Sequence, residues 1–385
     1  MKIKKIIKTI ILYKYLVFLG TFFLFCVFNF FRRKIDYFNV RENSTLLIEF
    51  YRFHGETLPG FIKYLLDLNY YVDVVILSPN GKKGRNDLSI FSCFNDNEKV
   101  RIKTLPDYDM NFLMRSSIAA SYKHIIINSF FEGKRINCLS FVNLFKLQPV
   151  CVVHNTNIQN EYFQTNKIIS LVKIESDNRK PTLVVNPHYF GEFERKKKSK
   201  KATFIAFNTN NLHRRNLNLL FAACDKLCQK GINNFSIKII GTGIPIPERY
   251  SENIHDYGFL DFQRMFEEIS NSDFLLALLD HENIQYTNKA SGSYQISYGF
   301  LKPIVLHALF SNVSGFTNEN SVLYNDNNNL AEAIEKCVNM SNNDYQTLVS
   351  SLEIHERKLY DSSLNNLKEV LETPIQNVSA QQDYT

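Results

Sequence analysis

Short apolar runs rich in β-branched residues alternate along this chain with stretches whose apolar positions recur at helical spacing. Residues 46–50 form a short apolar strand, followed by a turn containing Gly and Pro. Leu58, Phe61, Ile62, Leu65 and Leu66 then recur as on one face of an amphipathic helix. Residues 72–77 read as a buried strand, and 100–104, 124–128, 150–154 and 182–185 as further strands. Strand, helix, strand with near-continuous apolar runs is the pattern of a parallel sheet covered on both faces.

After a charged stretch, Glu194 to Lys201, that lacks apolar periodicity and reads as a solvated linker, the alternation restarts. Strands are predicted at 203–207, 236–240, 274–279, 304–307 and 321–324, and helices at 215–229, at 262–270 and from about Tyr294. The stretch 330–372 is mostly helical, and disorder is expected beyond Pro374. Two successive α/β units imply a cleft between them, where ligands of such folds bind.

The 385 residues have room for two domains, and 45% hydrophobic content suffices for a core in each. The net charge of +7 is unevenly placed, because nine Lys/Arg stand against one acid in the first 41 residues. The remainder, with 36 basic against 37 acidic residues, is close to neutral. A nucleic-acid-binding domain carries its basic field across the folded body, so no nucleic-acid partner is expected.

Instead the early charges flank an apolar run. Tyr15 to Phe31 holds no charged residue, and extension back to Ile10 gives about 33 Å of helix at ~1.5 Å per residue. Lys14 can snorkel to the interface, and Arg32, Arg33 and Lys34 stop the span; no small-residue cleavage site follows it. A retained single N-terminal anchor is therefore expected. Basic residues on both sides leave its orientation undecided by charge. The seven cysteines form no C-x-x-C pair, so neither a disulfide framework nor a zinc site is indicated. Cys224 and Cys228, one helical turn apart, read as thiols on a buried helix face.

Three segments of the second unit carry candidate chemistry. In the first, a strand runs through Asn208 into a polar loop and on to Arg214 and Arg215 at a predicted helix start. Guanidinium forks and free N–H groups there suit a diphosphate, although two arginines solvating a helix end fit as well. In the second, a strand ends in Gly241-Thr242-Gly243, which permits close backbone approach to a ligand. In the third, Ser291, Gly292 and Ser293 open a helix as a phosphate cradle would, or as a plain serine N-cap. In the first unit His54 and Glu56 follow the first strand, and His154 ends a later one. Each is an imidazole or carboxylate able to act as a general base or to touch a ligand. Glu56 also fits a helix-start role, and His188 fits the crossover between the units.

The runs FNTNNLHRRNLNLLFAACDKL, IKIIGTG, IHDYGFLDFQRMFEEISNSDFLLALL and SGSYQISYGFLKPIV, in that order over about 150 residues, resemble the donor-binding domain of GT-B glycosyltransferases, in particular family four. The resemblance implies an α/β protein of two Rossmann-like domains (GT-B), which here would stand behind the N-terminal hydrophobic anchor helix read from the apolar run above. Its segments would be an anchor over 1–41, an acceptor domain over 42–193, a basic linker over 194–201, a donor domain over 202–372 and a tail over 373–385.

It further implies glycosyl transfer from a nucleoside-diphosphate sugar to a hydroxyl of a glycan or lipid-linked acceptor at the membrane. By the resemblance, donor contacts would fall on Asn208, Arg214, Arg215, Gly241, Gly243, Ser291, Gly292 and Ser293; the candidates for catalysis, from their residue type and their place at strand ends, are His54, Glu56 and His154. No cofactor and no metal are expected, since no DxD-like acidic pair stands where a metal would sit. The body is expected on the cytoplasmic side, with a luminal orientation as the alternative. The family's two glutamates, with seven residues between them, correspond here to Asn288 and Ile296, with Glu282 or His281 as stand-ins. The alternative function is therefore a catalytically silent sugar- or nucleotide-binding accessory protein. A nucleotide-sugar epimerase would need a G-x-G-x-x-G turn after the first strand, and none is present.

Overall fold

Alternation of β-branched strands with amphipathic helices produces two parallel sheets. The computed structural model describes residues 38–50, 54–78, 87–106, 109–110, 113, 117–129, 147–154, 167–172, 183–208, 215–279, 282, 287 and 289–374. The apolar run expected to cross a membrane and the tail beyond Pro374 lie outside them. Among the described residues no helix is long and apolar enough to span a bilayer. Met1–Val40 separates from the compact unit Arg41–Thr385, which carries all the elements below.

The first sheet contains β1 (Ser44–Glu49), β2 (Tyr71–Leu77), β3 (Val100–Leu105), β4 (His124–Ile127), β5 (Val150–Val153), β6 (Ile168–Ser170) and β7 (Leu183–Val184). Their spatial order is β3-β2-β1-β4-β5-β6-β7, and every pairing is parallel. Helix α1 (Leu58–Asp67) follows β1 and buries Leu58, Phe61, Ile62 and Leu65, as its spacing predicts. The second sheet contains β8 (Ala202–Asn208), β9 (Phe235–Gly241), β10 (Ile254–Gly258), β11 (Phe274–Leu276), β12 (Ile304–His307) and β13 (Val322–Tyr324). Its order, β10-β9-β8-β11-β12-β13, repeats the logic of the first and is again all parallel. In both sheets the winding direction reverses beside the first strand, between β1 and β4 and between β8 and β11. Ligands of doubly wound folds bind outside the carboxyl ends at that point.

Helices α2 (Leu217–Gln229), α3 (Phe262–Ser270), α4 (Gly292–Gly299), α5 (Leu330–Asn339) and α6 (Asn342–Glu372) complete the second half. Several sequence expectations are corrected. Helix α2 starts at Leu217, because Asn216 caps it by accepting the Leu219 N–H at 3.1 Å; Arg215 precedes the helix rather than opening it. Strand β11 stops at Leu276, and Leu278 has a positive φ of 46° that extended backbone does not allow. Cys224 is buried but Cys228 is exposed, so only one thiol lies on the packed face of α2. Strands β6 and β10 are additional. The first is three residues long, and the second is an exposed edge strand whose polar residues hide it from an apolar-run search.

The chain passes between the two sheets once through residues 185–201 and returns through α6. The crossover is threaded past two glycines: a Cβ on Gly60 of α1 would stand 2.5 Å from Pro187 Cα, and one on Gly299 of α4 would stand 2.1 Å from the His188 carbonyl oxygen. The basic segment that reads as a solvated linker is tied down instead. Lys198 Nζ donates to Val338 O at 3.0 Å, Ser199 N–H to Asp273 at 3.0 Å, and Arg195 pairs with Glu353. On the return, Asn366 Nδ2 donates to Val184 O at 2.8 Å and Lys167 Nζ to Leu371 O at 3.2 Å. The far end of α6 therefore packs on the first sheet.

Candidate functional site

At the reversal point of the second sheet, Arg215, Ser291 and Ser293 converge from two chain segments. Strand β8 delivers the loop that carries Arg215, and α4 delivers both serines. Arg215 Nη2 donates to Ser293 Oγ at 3.1 Å and to Ser291 Oγ at 3.5 Å, and all three side chains are buried. Ser291 is the N-cap of α4, yet its hydroxyl caps no N–H of the first turn, so the plain serine-cap reading does not describe it. A Cβ on Gly292 would meet nothing within 4 Å, leaving open space before this helix N-terminus. Buried cation, hydroxyls and helix N–H groups together make an electropositive cradle suited to an anion.

Asn208 and Gly241 shape the same edge differently. The Asn208 side chain donates to Thr242 O at 2.6 Å and is thereby turned into the structure. Gly241 has φ +126°, and a Cβ there would lie 2.0 Å from the Asn208 carbonyl oxygen. This turn admits only glycine, for a reason internal to the β8–β9 pair. Gly243 follows beside Asp256, whose carboxylate accepts the Ile244 N–H at 2.9 Å. Arg214 lies outside the described residues, as do His281 and Asn288; Glu282 is exposed.

At the reversal point of the first sheet, β1 ends in a fully buried carboxylate, Glu49. Its Oε2 accepts from Asn128 Nδ2 at 2.5 Å and from Ser129 Oγ at 2.8 Å, both just past β4. Asn128 Nδ2 also donates to His54 O at 3.0 Å, and its Oδ1 stands 2.9 Å from the Thr57 hydroxyl. His154 Nε2 lies 2.7 Å from Asn128 O. The His54 and His154 rings stand 4.2 Å apart between centroids, tilted by 41°. Glu56 Oε1 lies 3.7 Å from His54 Nδ1.

The two histidines are driven apart electrostatically. Burial disfavours protonation of His54, but Glu56 and Glu49 outweigh it and raise its pKa above the usual 6.5. Burial holds His154 well below 6.5, aided by the charges of His54 and Lys289 and opposed by Asn128 O. Lys289 belongs to the segment just before α4. It acts on both histidines, so the edge of the second sheet faces that of the first across the cleft.

The structure thus brings His54, Glu56 and His154 to one edge and Arg215, Ser291, Gly292 and Ser293 to the opposing one. Glu49, Thr57, Asn128, Ser129 and Lys289 escaped the sequence reading. Only Glu49 carried a local signal, an acid ending an otherwise apolar strand. Among the described residues no group of three or more His, Cys, Asp or Glu is placed to hold a metal ion.

Two doubly wound sheets with facing carboxyl edges define a GT-B-type fold, and solved structures share it. S. aureus TarM in complex with fondaparinux, α-GlcNAc-glycerol and UDP superimposes with a TM-score of 0.58 at 9% identity, covering 86% of this chain and 100% of that one. A glycosyltransferase from Rickettsia africae gives 0.53 at 12% identity over 87% and 100% of the two chains. The E. coli trehalose-6-phosphate structure bound with UDP-2-fluoro glucose gives 0.51 at 10% identity over 86% and 100%. The sequence itself matches no family model and no curated protein.

Proposed function

We propose that the chain is a membrane-anchored glycosyltransferase of the family-four type that moves a sugar from a nucleoside-diphosphate sugar to a hydroxyl of a glycan or lipid-linked acceptor. The observation that carries this reading is the buried Arg215–Ser291–Ser293 cluster before the open N-terminus of α4, set opposite the His54–His154 pair. In this reading the second domain holds the donor. Arg215 and the α4 amides offset the charge that develops on the departing diphosphate, a task that requires no metal. The acceptor hydroxyl approaches from the first domain, where His54, Glu56 and His154 supply the titratable groups. UDP in the TarM structure and UDP-2-fluoro glucose in the E. coli one agree with such a donor.

One observation favours the catalytically silent alternative. Ile296, where the family has an acidic residue, packs against the core of this protein and offers no carboxylate. Thermal-shift measurements on the full chain with UDP, GDP and ADP test donor binding. A nucleotide-dependent rise that Arg215→Ala abolishes is expected, and a rise unchanged in that variant would overturn the diphosphate role. Donor turnover with EDTA present then separates enzyme from accessory: binding without turnover of any nucleotide sugar supports the silent protein.

A further inference from the structure

The two passages between the halves meet at one buried side chain that the proposed reaction does not use. His188, in the crossover, is only 2% exposed. Its Nδ1 lies 2.8 Å from Asn186 O, and its Nε2 lies 2.8 Å from Glu356 Oε1, in the middle of α6. A backbone carbonyl only accepts, so Nδ1 carries hydrogen; an ionised carboxylate also only accepts, so Nε2 must carry hydrogen as well. The contact therefore holds one proton more than a neutral ring beside a carboxylate. The ring is the group that keeps it, since imidazole holds a proton more tightly than a carboxylate does. Without that proton a ring lone pair would face the carboxylate, and attraction would turn into repulsion.

We propose that His188 and Glu356 form a proton-operated clasp between the crossover and α6, closed while the ring is charged and open once it is neutral. The clasp goes beyond the transfer reading, and its test makes no use of sugar transfer. Its position suits the task. Before Glu356 in the helix, Tyr345 and Leu348 join the second core; after it, Leu367, Val370 and Leu371 join the first. A tie at the midpoint of this helix therefore restrains how the halves move relative to each other. The ring also borders a cavity of about 530 Å³, which leaves room for it to turn away and for water to enter. A solidly packed ion pair would have no such freedom.

The groups that face the ring come from three elements. From α6 these are Glu356 and the Tyr360 ring, and from α4 the Tyr298 ring, with both aromatic centroids 6.0 Å away. From α1, Tyr64 donates to the same Asn186 oxygen at 2.5 Å. The other tyrosine hydroxyls are committed elsewhere: Tyr360 to Asp67, itself paired with Lys63, and Tyr298 to Ser314 O at 2.6 Å. His355 of α6 stacks on Tyr298. The cations round the cavity are committed too. Arg195 and Arg357 both meet Glu353, Lys196 meets Asn271, and Lys302 donates to Ser270 O at 2.8 Å. Glu192, Glu194 and Asp361 of the cavity wall are exposed to solvent, where their fields are screened. Glu356 is thus the charged group in direct contact with the ring. The stabilisation it gives is present at low pH and is lost as pH rises through the titration of the ring.

Histidine ¹⁵N NMR of the full-length chain in detergent, with the His188 signals assigned by their loss in His188→Gln, follows the ring from about pH 5.5 to about pH 9. Hydrogen exchange, corrected for the pH dependence of the chemical rate, follows the clasp. Once the ring has lost its charge, amides of the crossover and of the middle of α6 are expected to exchange ~tenfold faster or more, while those of β1 and β8 keep their protection. Glu356→Gln removes this pH dependence, because an amide can donate to a neutral ring or accept from a charged one. His188→Gln removes it as well, since glutamine keeps a donor in place and does not titrate, so either variant suffices if the other fails to fold. A ring still charged at the alkaline end would overturn the clasp. So would exchange that stays unchanged in the native chain after the ring is neutral, or that rises equally in whichever variant folds.

Discussion

Two glycines in the second half look alike in sequence and differ in what they permit. Gly241 combines φ +126° with a Cβ position 2.0 Å from the Asn208 carbonyl oxygen, whereas Gly292 opens onto free space. Gly241→Ala is expected to destabilise the chain by ~1–3 kcal/mol through backbone strain, more if the β8–β9 contact must also move, as denaturant unfolding would measure. Gly292→Ala should leave the fold intact, since it adds a methyl group against nothing. Weaker nucleotide binding by Gly292→Ala at unchanged stability would show that a ligand occupies the space before α4. Equal binding would place the donor elsewhere.

At the scale of elements, α6 is the part whose role differs most between sequence and structure. Its hydrophobic positions extend one helix over both halves: Tyr345 and Leu348 join the second core, while Leu367, Val370 and Leu371 join the first. Ser363 Oγ accepts the Asn186 N–H at 3.0 Å, and the Tyr360 hydroxyl donates to Asp67 of α1. Leu367 has no exposed surface, so Leu367→Ala should cost ~2–5 kcal/mol of stability, seen as a lower denaturant midpoint. Because the residue covers the first sheet from a helix rooted in the second half, the loss should appear as exposure of the first sheet in hydrogen exchange. Loss confined to the second sheet would contradict this packing.

For the molecule as a whole, two passages tie the sheets together, and each is held by specific contacts. Gly60 and Gly299 let the crossover approach α1 and α4 at backbone distance. The buried His188 spans from Asn186 O at 2.8 Å to Glu356 on α6 at 2.8 Å. That histidine reads in sequence as lining the crossover, and it does so as a bridge to the returning helix. The charge distribution also belongs to this scale, with nine Lys/Arg in the first 41 residues and a nearly neutral body. The full chain is expected to stay in the membrane pellet after alkaline carbonate washing. A chain lacking residues 1–41 should enter the supernatant and still show the nucleotide thermal shift. Release of the full chain by carbonate would overturn the anchor.

Apolar periodicity by itself determined most strands and helices, and with them a parallel α/β architecture in two units, because burial on both faces writes continuous β-branched runs into the chain. Local chemistry likewise marked Arg215, Ser291, Ser293, His54 and His154, since polar residues at strand ends and helix starts stand out against apolar neighbours. Only the tertiary structure decided which of these meet. Arg215 reaches residues 76 and 78 positions away, and Asn128 reaches Glu49 across 79. Such separations are closed by the reversal of winding between β1 and β4 and between β8 and β11, which no local spacing encodes. The same holds for the electrostatics. Glu49 escaped the sequence reading inside a short apolar strand, and only its enclosure by Asn128, Ser129 and the strands beside it brings its charge to bear on His54, because a field is strong where water is excluded.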